Sequence, residues 1–382
     1  MQVINQHITD NFAIYNGDSC EILQGLPDSS IGYGIHSPPF ASLYTYSASE
    51  RDLGNCPDYA TFAKHYDFII KQLFRLTKPG RLHSIHCMDL PTSKANHGYI
   101  GLIDFPGIII KAFQDAGWIY HSRVAIWKDP VTAMQRTKAL GLLHKQIVKD
   151  SAMSRQGIPD TVLTFRKPGE NLEPVSGDLL AKGDKPEYWA QDVRVCEASS
   201  MFVSFPVDLT KPRFMVDHHD QQYGCGREYH YGEQYCSYCG NKLQARGKHP
   251  QIGNDPSRAP IDIWQRLASP VWMDINPSDT LQKESAREEE DERHICPLQL
   301  EVIRRCFELW SNPGDVILTP FAGIGSELYV ALGGKTQSGA FLPKRLKAIG
   351  CELKESYYKQ AVANCLRAEK QMKQPSLLDM LK

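Results

Sequence analysis

Ser37, Pro38, Pro39 and Phe40 close a run, Ile31-Gly-Tyr-Gly-Ile-His36, that alternates like a strand. Two successive prolines offer no backbone N–H and fix two φ angles, so the strand must end there. What leaves it is stiff: a hydroxyl, locked carbonyls and an aromatic ring. Taken alone, such a segment is ordinary turn punctuation. A second chemistry-bearing stretch is Thr319-Pro320-Phe321-Ala322-Gly323-Ile324-Gly325, between an apolar run ending near Leu318 and a helical pattern from Ser326. Gly323 and Gly325 let the backbone approach a ligand closely. The next apolar run ends Gly350-Cys-Glu352, which puts a carboxylate at the tip of the neighbouring strand, where it can accept both ribose hydroxyls. Gly325 and Glu352 lie 27 residues apart, against roughly 20 in the dinucleotide fingerprint. The excess falls in the loop Gly333 to Lys347. No Gly-Lys-Ser/Thr follows, so this is not a P-loop. These residues imply an adenosine-containing cofactor, with a nicotinamide among the candidates.

A third concentration of chemistry lies between His218 and Leu243. Cys236-x-x-Cys239-Gly has the form of one zinc-ribbon knuckle, while the upstream mate is reduced to Cys225. Three thiolates with His230, or with His218 or His219, make a tetrahedral structural zinc set. A small loop-rich insert has little core of its own and is stabilised by such a metal. The competing reading is three reduced cysteines in a decayed ribbon. Tyr223, Tyr229, Tyr231, Tyr235 and Tyr238 interleave with Arg227 and Lys242, a pattern that serves DNA contact or local packing equally well.

The elements that must position these residues follow from periodicity. Residues 12–128 alternate strand and helix: strands at Phe12–Asp18, Ile31–His36, Arg81–Cys87 and Trp118–Trp127, helices at Cys20–Leu26, Tyr59–Leu76 and Phe105–Ala116. Alternation of this kind specifies an α/β fold with a mostly parallel sheet. From 129 to about 260 the pattern loosens and Pro, Gly and polar residues rise, as expected of an insertion. Its first part, 128–167, carries eight Lys/Arg against three Asp, a balance of +5, which is either a solvated face or a phosphate-contacting surface. After a charged run at 282–293, an amphipathic helix opened by Pro297 leads to the Gly-rich turn, a strand to Glu352 and a helical tail. The expected organisation is 1–128, 129–260 and 261–382.

Bulk properties are those of a globular chain: 382 residues, 42% hydrophobic, 23% charged, net charge −1. Whole-chain charge therefore announces no nucleic acid. There is no secretory signal and no run of about 18 apolar residues. The expected location is the cytoplasm, with no membrane partner and with the eleven cysteines reduced.

The combination resembles the S-adenosyl-L-methionine-dependent DNA amino-methyltransferases, whose catalytic motif is Asp/Asn/Ser-Pro-Pro-Tyr/Phe and whose cofactor loop is Asp-Pro-Phe-x-Gly-x-Gly. Ser37-Pro38-Pro39-Phe40 precedes Thr319–Gly325 here, an order similar to the β-type, circularly permuted members. The likeness covers about residues 12–128 and 261–365. It implies a Rossmann-like methyltransferase sheet with a target-recognition region inserted between the two motifs, bacterial or phage origin, and double-stranded DNA as partner. It also implies that Asp18, His294, Pro297, Thr319, Pro320, Phe321, Gly323, Gly325 and Glu352 bind the cofactor. Thr319 departs from the usual Asp, and Ser326 from the usual Thr.

An exocyclic base amine is a poor nucleophile because its lone pair is delocalised into the ring. Two acceptors around its N–H bonds, Ser37 Oγ and the Pro38 carbonyl, draw the nitrogen toward tetrahedral geometry, and the prolines hold them rigid. Phe40 offers a face on which an extruded base stacks. No catalytic cysteine is required. Ser in the first position is more typical of N4-cytosine enzymes and Asp of N6-adenine enzymes, so cytosine is the favoured base and adenine the alternative. RNA or a protein glutamine amide is a further substrate class for such motifs. A non-catalytic DNA-binding module on a degenerate scaffold is the reading from another class.

Overall fold

The computed structural model describes residues 3–39, 53–92, 94–131, 144–153, 156–175, 267–281, 298–342 and 344–373, with short strand segments between 190 and 245. By internal contacts the chain forms two units. One comprises residues 1–176 and 270–382, the other 177–269.

The larger unit is built on a nine-stranded sheet. In chain order its strands are β1 (Asn5–Ile8), β2 (Phe12–Asn16), β3 (Ile31–His36), β4 (Thr77–Cys87), β5 (Ile119–Ile126), β6 (Asp160–Arg166), β7 (Val271–Trp272), β8 (Val316–Thr319) and β9 (Lys347–Glu352). Their order across the sheet is β1-β2-β9-β8-β3-β4-β6-β5-β7. From β2 to β4 every pair is parallel. β6 runs antiparallel to both its neighbours, as β1 does to β2. Helices α1 (Ser19–Gln24), α2 (Tyr59–Leu76) and α3 (Phe105–Asp115) pack on one face. Helices α4 (Leu300–Trp310), α5 (Ser326–Ala331) and α6 (Glu355–Lys373) pack on the other.

Local chemistry explains these elements. Asp58 caps α2 by accepting the Thr61 N–H at 2.7 Å, and Phe62, Tyr66, Ile69, Ile70 and Leu73 form its buried stripe. Asp104 caps α3 in the same way at Gly107, with Pro106 in the first turn. β3 is buried along its whole length, yet it contains two glycines. Both are required by close approach rather than by φ. A Cβ on Gly32 would fall 2.4 Å from Asp315, which pairs with the buried Arg81 of β4. A Cβ on Gly34 would fall 2.2 Å from the His83 ring.

Two expectations are modified. The stretch from 129 supplies β6 to the main sheet, and the separate unit begins only at Gly177. The strand expected over Arg81–Cys87 begins already at Thr77, directly after α2, and takes in Lys78-Pro79-Gly80, where the pairing with β3 jumps from Ile31↔Thr77 to Tyr33↔Leu82 and Gly80 takes φ +71°. In the smaller unit the described residues form three short antiparallel pairs: Ala190–Gln191 with Pro206–Val207, Arg194–Cys196 with Leu243–Ala245, and Arg213–Phe214 with Glu228–Tyr229. Among the described residues, no helix is long and apolar enough to cross a membrane.

Candidate active site

β3 and β8 are adjacent and parallel, with Ile317 beside Tyr33 and Leu318 beside Gly34. From β3 the chain proceeds outward to β4, and from β8 it proceeds in the opposite direction to β9. This is the topological switch point of the sheet, where the carboxyl ends of the strands open a crevice for ligands. Ser37-Pro38-Pro39 leaves β3 into that crevice, and the loop from Pro320 to Gly325 leaves β8 into it. Two motifs separated by some 280 residues of sequence are thus brought to one edge by a single strand pairing.

The Gly-rich loop is tied down on three sides. The Ala322 N–H donates to the Cys351 carbonyl at 2.8 Å, the Ser19 hydroxyl donates to the Pro320 carbonyl, and Asn364 Nδ2 of α6 donates to the Ile324 carbonyl at 2.8 Å. Gly323 and Gly325 both lie in the left-handed region, at φ +52° and +85°. A Cβ on Gly325 would press on Ala361 at 3.1 Å, whereas one on Gly323 would meet nothing within 4 Å. The first glycine therefore marks the loop's open side and the second its packed side. Glu352 closes the arrangement: Oε2 accepts the Gly323 N–H at 2.7 Å and Oε1 the Lys354 N–H at 2.9 Å. Asp18 caps α1, accepting the Cys20 N–H at 2.8 Å. Thr319 is 1% exposed, and its Oγ1 has no partner among the described residues. Glu327, buried in the first turn of α5, has its carboxyl pushed up to about 8 by burial, with the Glu352 charge acting in the same direction.

Ser37 is half-buried and Pro38 buried. Ser37 Oγ donates to the His86 carbonyl at 3.1 Å. The hydroxyl proton is thereby committed to protein, which leaves the oxygen's lone pairs to accept. Below the motif lies a buried polar chain: His36 Nδ1 is 2.9 Å from His83 Nε2, and His36 Nε2 is 2.6 Å from the Tyr66 hydroxyl. The His36 ring meets Phe321 of the loop edge-on at 5.4 Å. Burial pushes the His83 imidazole down to about 3 and holds His36 well below the ordinary range, with His83 adding to the latter effect. The residue before Ser37-Pro38-Pro39 thus ties their strand to the Gly-rich loop. Sequence reasoning missed His36, His83, Tyr66 and His86. For His83 and His86 the signal was the polar spacing of His83-Ser-Ile-His86 within a strand buried on both faces.

Phe40, His294, Pro297, Cys225, His230, Cys236 and Cys239 lie outside the described residues. Among the described residues, no group of three or more His, Cys, Asp or Glu side chains is placed to hold a metal.

The fold agrees with that of TTHA0409 from Thermus thermophilus, whose provisional description is DNA modification methylase and whose structure was determined with S-adenosyl-L-methionine. Identity is 17% and the TM-score 0.52, over 94% of this chain and 96% of that one. A weaker likeness, at 12% identity and TM-score 0.45, joins 95% of the chain to 90% of the cytosine-N4-specific PvuII DNA methyltransferase. No curated protein sequence matches the chain. The N6/N4 DNA methylase family matches residues 34–363, a span that contains the switch point, Ser37-Pro38-Pro39 and the Gly-rich loop. The chain belongs to the N6/N4 family of DNA methylases.

Proposed function

We propose that this DNA methylase uses S-adenosyl-L-methionine to methylate an exocyclic amine of a base extruded from duplex DNA, with cytosine N4 ahead of adenine N6. The chain has the β-type order, catalytic motif first, with target recognition assigned to the region between the two motifs that follows β6. The observation that carries this reading is the β3–β8 pairing, Ile317 beside Tyr33 and Leu318 beside Gly34, which brings Ser37 and the Gly-rich loop to the same edge of the sheet.

The residues at this edge fit the cofactor. Gly323 leaves room on the loop's open side, Glu352 is fixed at the tip of β9, and Thr319 Oγ1 is a buried hydroxyl lacking a partner among the described residues. A carboxylate oxygen can accept more than one donor, so Glu352 can hold ribose hydroxyls while it holds the loop. When bound, the cofactor supplies an electrophilic methyl group on a sulfonium. The chain's own contribution is to hold the amine: Ser37 Oγ and the Pro38 carbonyl accept its N–H bonds, and the two prolines keep them in place. Phe40 is assigned to stacking, His294 and Pro297 to the methionine end, and Cys225, Cys236, Cys239 and His230 to a structural zinc, each on sequence grounds alone.

The test is methyl transfer from labelled S-adenosyl-L-methionine to duplex DNA of mixed sequence, followed by nucleoside analysis by mass spectrometry. N4-methyldeoxycytidine is the expected product, and Ser37→Ala is expected to lose it while cofactor binding by calorimetry persists. N6-methyldeoxyadenosine alone would reverse the base assignment. No cofactor binding by calorimetry, alongside retained DNA binding, would favour the non-catalytic reading.

A further inference from the structure

Five consecutive strands, β8, β3, β4, β6 and β5, present a polar residue at one edge of the sheet on one face, at the carboxyl ends of β8, β3, β4 and β5 and at the amino end of the antiparallel β6. By strand alternation Thr319, Ser37, His86, Asp160 and Lys128 share the face whose interior positions, Ile317, Ile35, Val162 and Ile126, pack in a single core with α4. Three of them have no role in the reaction described above. His86 is 8% exposed, and neither ring nitrogen has a hydrogen bond among the described residues. Its Nε2 stands 3.4 Å from Asp160 Oδ2, and Asp160 Oδ1 accepts from Lys128 Nζ at 2.5 Å. Asp160 is 4% exposed. Burial alone would raise its carboxyl, but His86 and Lys128 more than reverse this and bring it down to about 2.

A buried imidazole whose Nε2 faces a fixed carboxylate and whose Nδ1 has no partner among the described residues, on the residue whose carbonyl receives the Ser37 hydroxyl, is the arrangement of an oriented base. We infer that His86, oriented by Asp160, takes the proton shed by the base amine as that amine is methylated, and that Lys128 and Asp160 set the strength of this base. This rests on the proposed amino-methyl transfer. The amine lone pair forms the N–C bond, the C–S pair leaves with sulfur, the N–H pair stays on nitrogen, and the proton passes to the neutral imidazole. The resulting imidazolium is held by the Asp160 carboxylate until it loses the proton to water.

The charged groups facing His86 are Asp160 from β6 and Lys128 beyond β5. β3 contributes the neutral Ser37 on this face and His36 on the opposite one. The arginines of α4 are engaged elsewhere, Arg304 with Glu301 and Glu308, Arg305 with Glu301 and Asp274.

The test is single-turnover methyl transfer across pH in wild type, His86→Asn, Asp160→Asn and Lys128→Met, with histidine side-chain NMR of the cofactor-free proteins as a second readout. Wild type should show a rate that rises with pH, and His86→Asn should lose about 100-fold in rate together with that rise. Asp160→Asn removes a negative charge and should move both the acidic limb and the His86 resonance midpoint to lower pH. Lys128→Met removes a positive charge and should move both upward. A purely structural role predicts lower rates with an unmoved profile, and that result would overturn the inference while leaving the methyl-transfer reading intact. No transfer by wild type to either amine would remove both.

Discussion

At the scale of the residue, the position of one proton decides what Ser37 can do. A hydroxyl accepts cleanly from an amine when its own hydrogen is directed elsewhere, and the His86 carbonyl receives it at 3.1 Å. An aspartate, the commoner first residue among N6-adenine enzymes, has no hydrogen to share with that carbonyl. In this chain Ser37→Asp would set a carboxylate against a fixed carbonyl oxygen. Exchange of base specificity is therefore not the expected outcome. Loss of methyl transfer to both cytosine and adenine, by roughly 100-fold, is expected, with cofactor affinity by calorimetry nearly unchanged. Appearance of N6-methyldeoxyadenosine with this variant would show that the carbonyl does not constrain the site. Legibility also divides at this scale. Ser37, Gly323, Gly325 and Glu352 stood out because proline pairs, left-handed glycines and a strand-tip carboxylate have local signatures. Asp160 did not, because its partners come from β4 and beyond β5, and no local pattern announces a buried ion pair.

At the scale of the element, α4 and β8 must end and begin in register with β3 for the two motifs to meet. The join is made by Lys344, a buried lysine from the loop ahead of β9. Its Nζ donates to the carbonyls of Glu308 and Ser311 at 2.8 Å each, at the carboxyl end of α4. A cation there satisfies carbonyls that have no partner within the helix and complements the helix dipole. Lys344→Met keeps the aliphatic stem but leaves those carbonyls buried and unpaired. The expected loss is about 2 kcal/mol in urea denaturation, with the spectrum of the folded state retained. An unchanged midpoint would mean that water replaces the ammonium without cost.

The sequence pattern made most elements readable. α2 spans Tyr59–Leu76 as its apolar spacing requires, and β9 ends at Glu352 as expected. β6 was hidden for a physical reason. Asp160–Arg166 is buried on both faces between two antiparallel neighbours, so it shows no alternation, and it lies in a stretch otherwise rich in polar and turn residues. β7, two residues long, is below any periodic signal.

At the scale of the whole molecule, three buried ionisable groups near the switch point give stability a definite pH profile. His36 and His83 are held neutral well below their ordinary value of 6.5, whereas Glu327 is held neutral up to about 8, above its ordinary 4.5. Below pH 6.5 the unfolded chain binds protons that the two folded imidazoles cannot, so stability falls as pH falls. Above 4.5 the unfolded chain releases the Glu327 proton that the folded state retains, so this group's contribution falls as pH rises through about 8. Each group contributes a slope of about 1.4 kcal/mol per pH unit within its window. Between 4.5 and 6.5 the two histidines outweigh the one glutamate, and between 6.5 and 8 the glutamate acts alone. The three groups together place the stability maximum near pH 6.5, declining toward both sides. Urea denaturation from pH 5 to 8.5 should trace this dome. In Glu327→Gln the decline above 6.5 should disappear while the acid side steepens, because the opposing slope is gone. A wild-type profile flat between 6.5 and 8 would mean that Glu327 ionises in place. The carboxylate would then stand beside Glu352 as a second negative charge under the Gly-rich loop, and Glu327→Gln would instead leave the alkaline side of the profile unchanged.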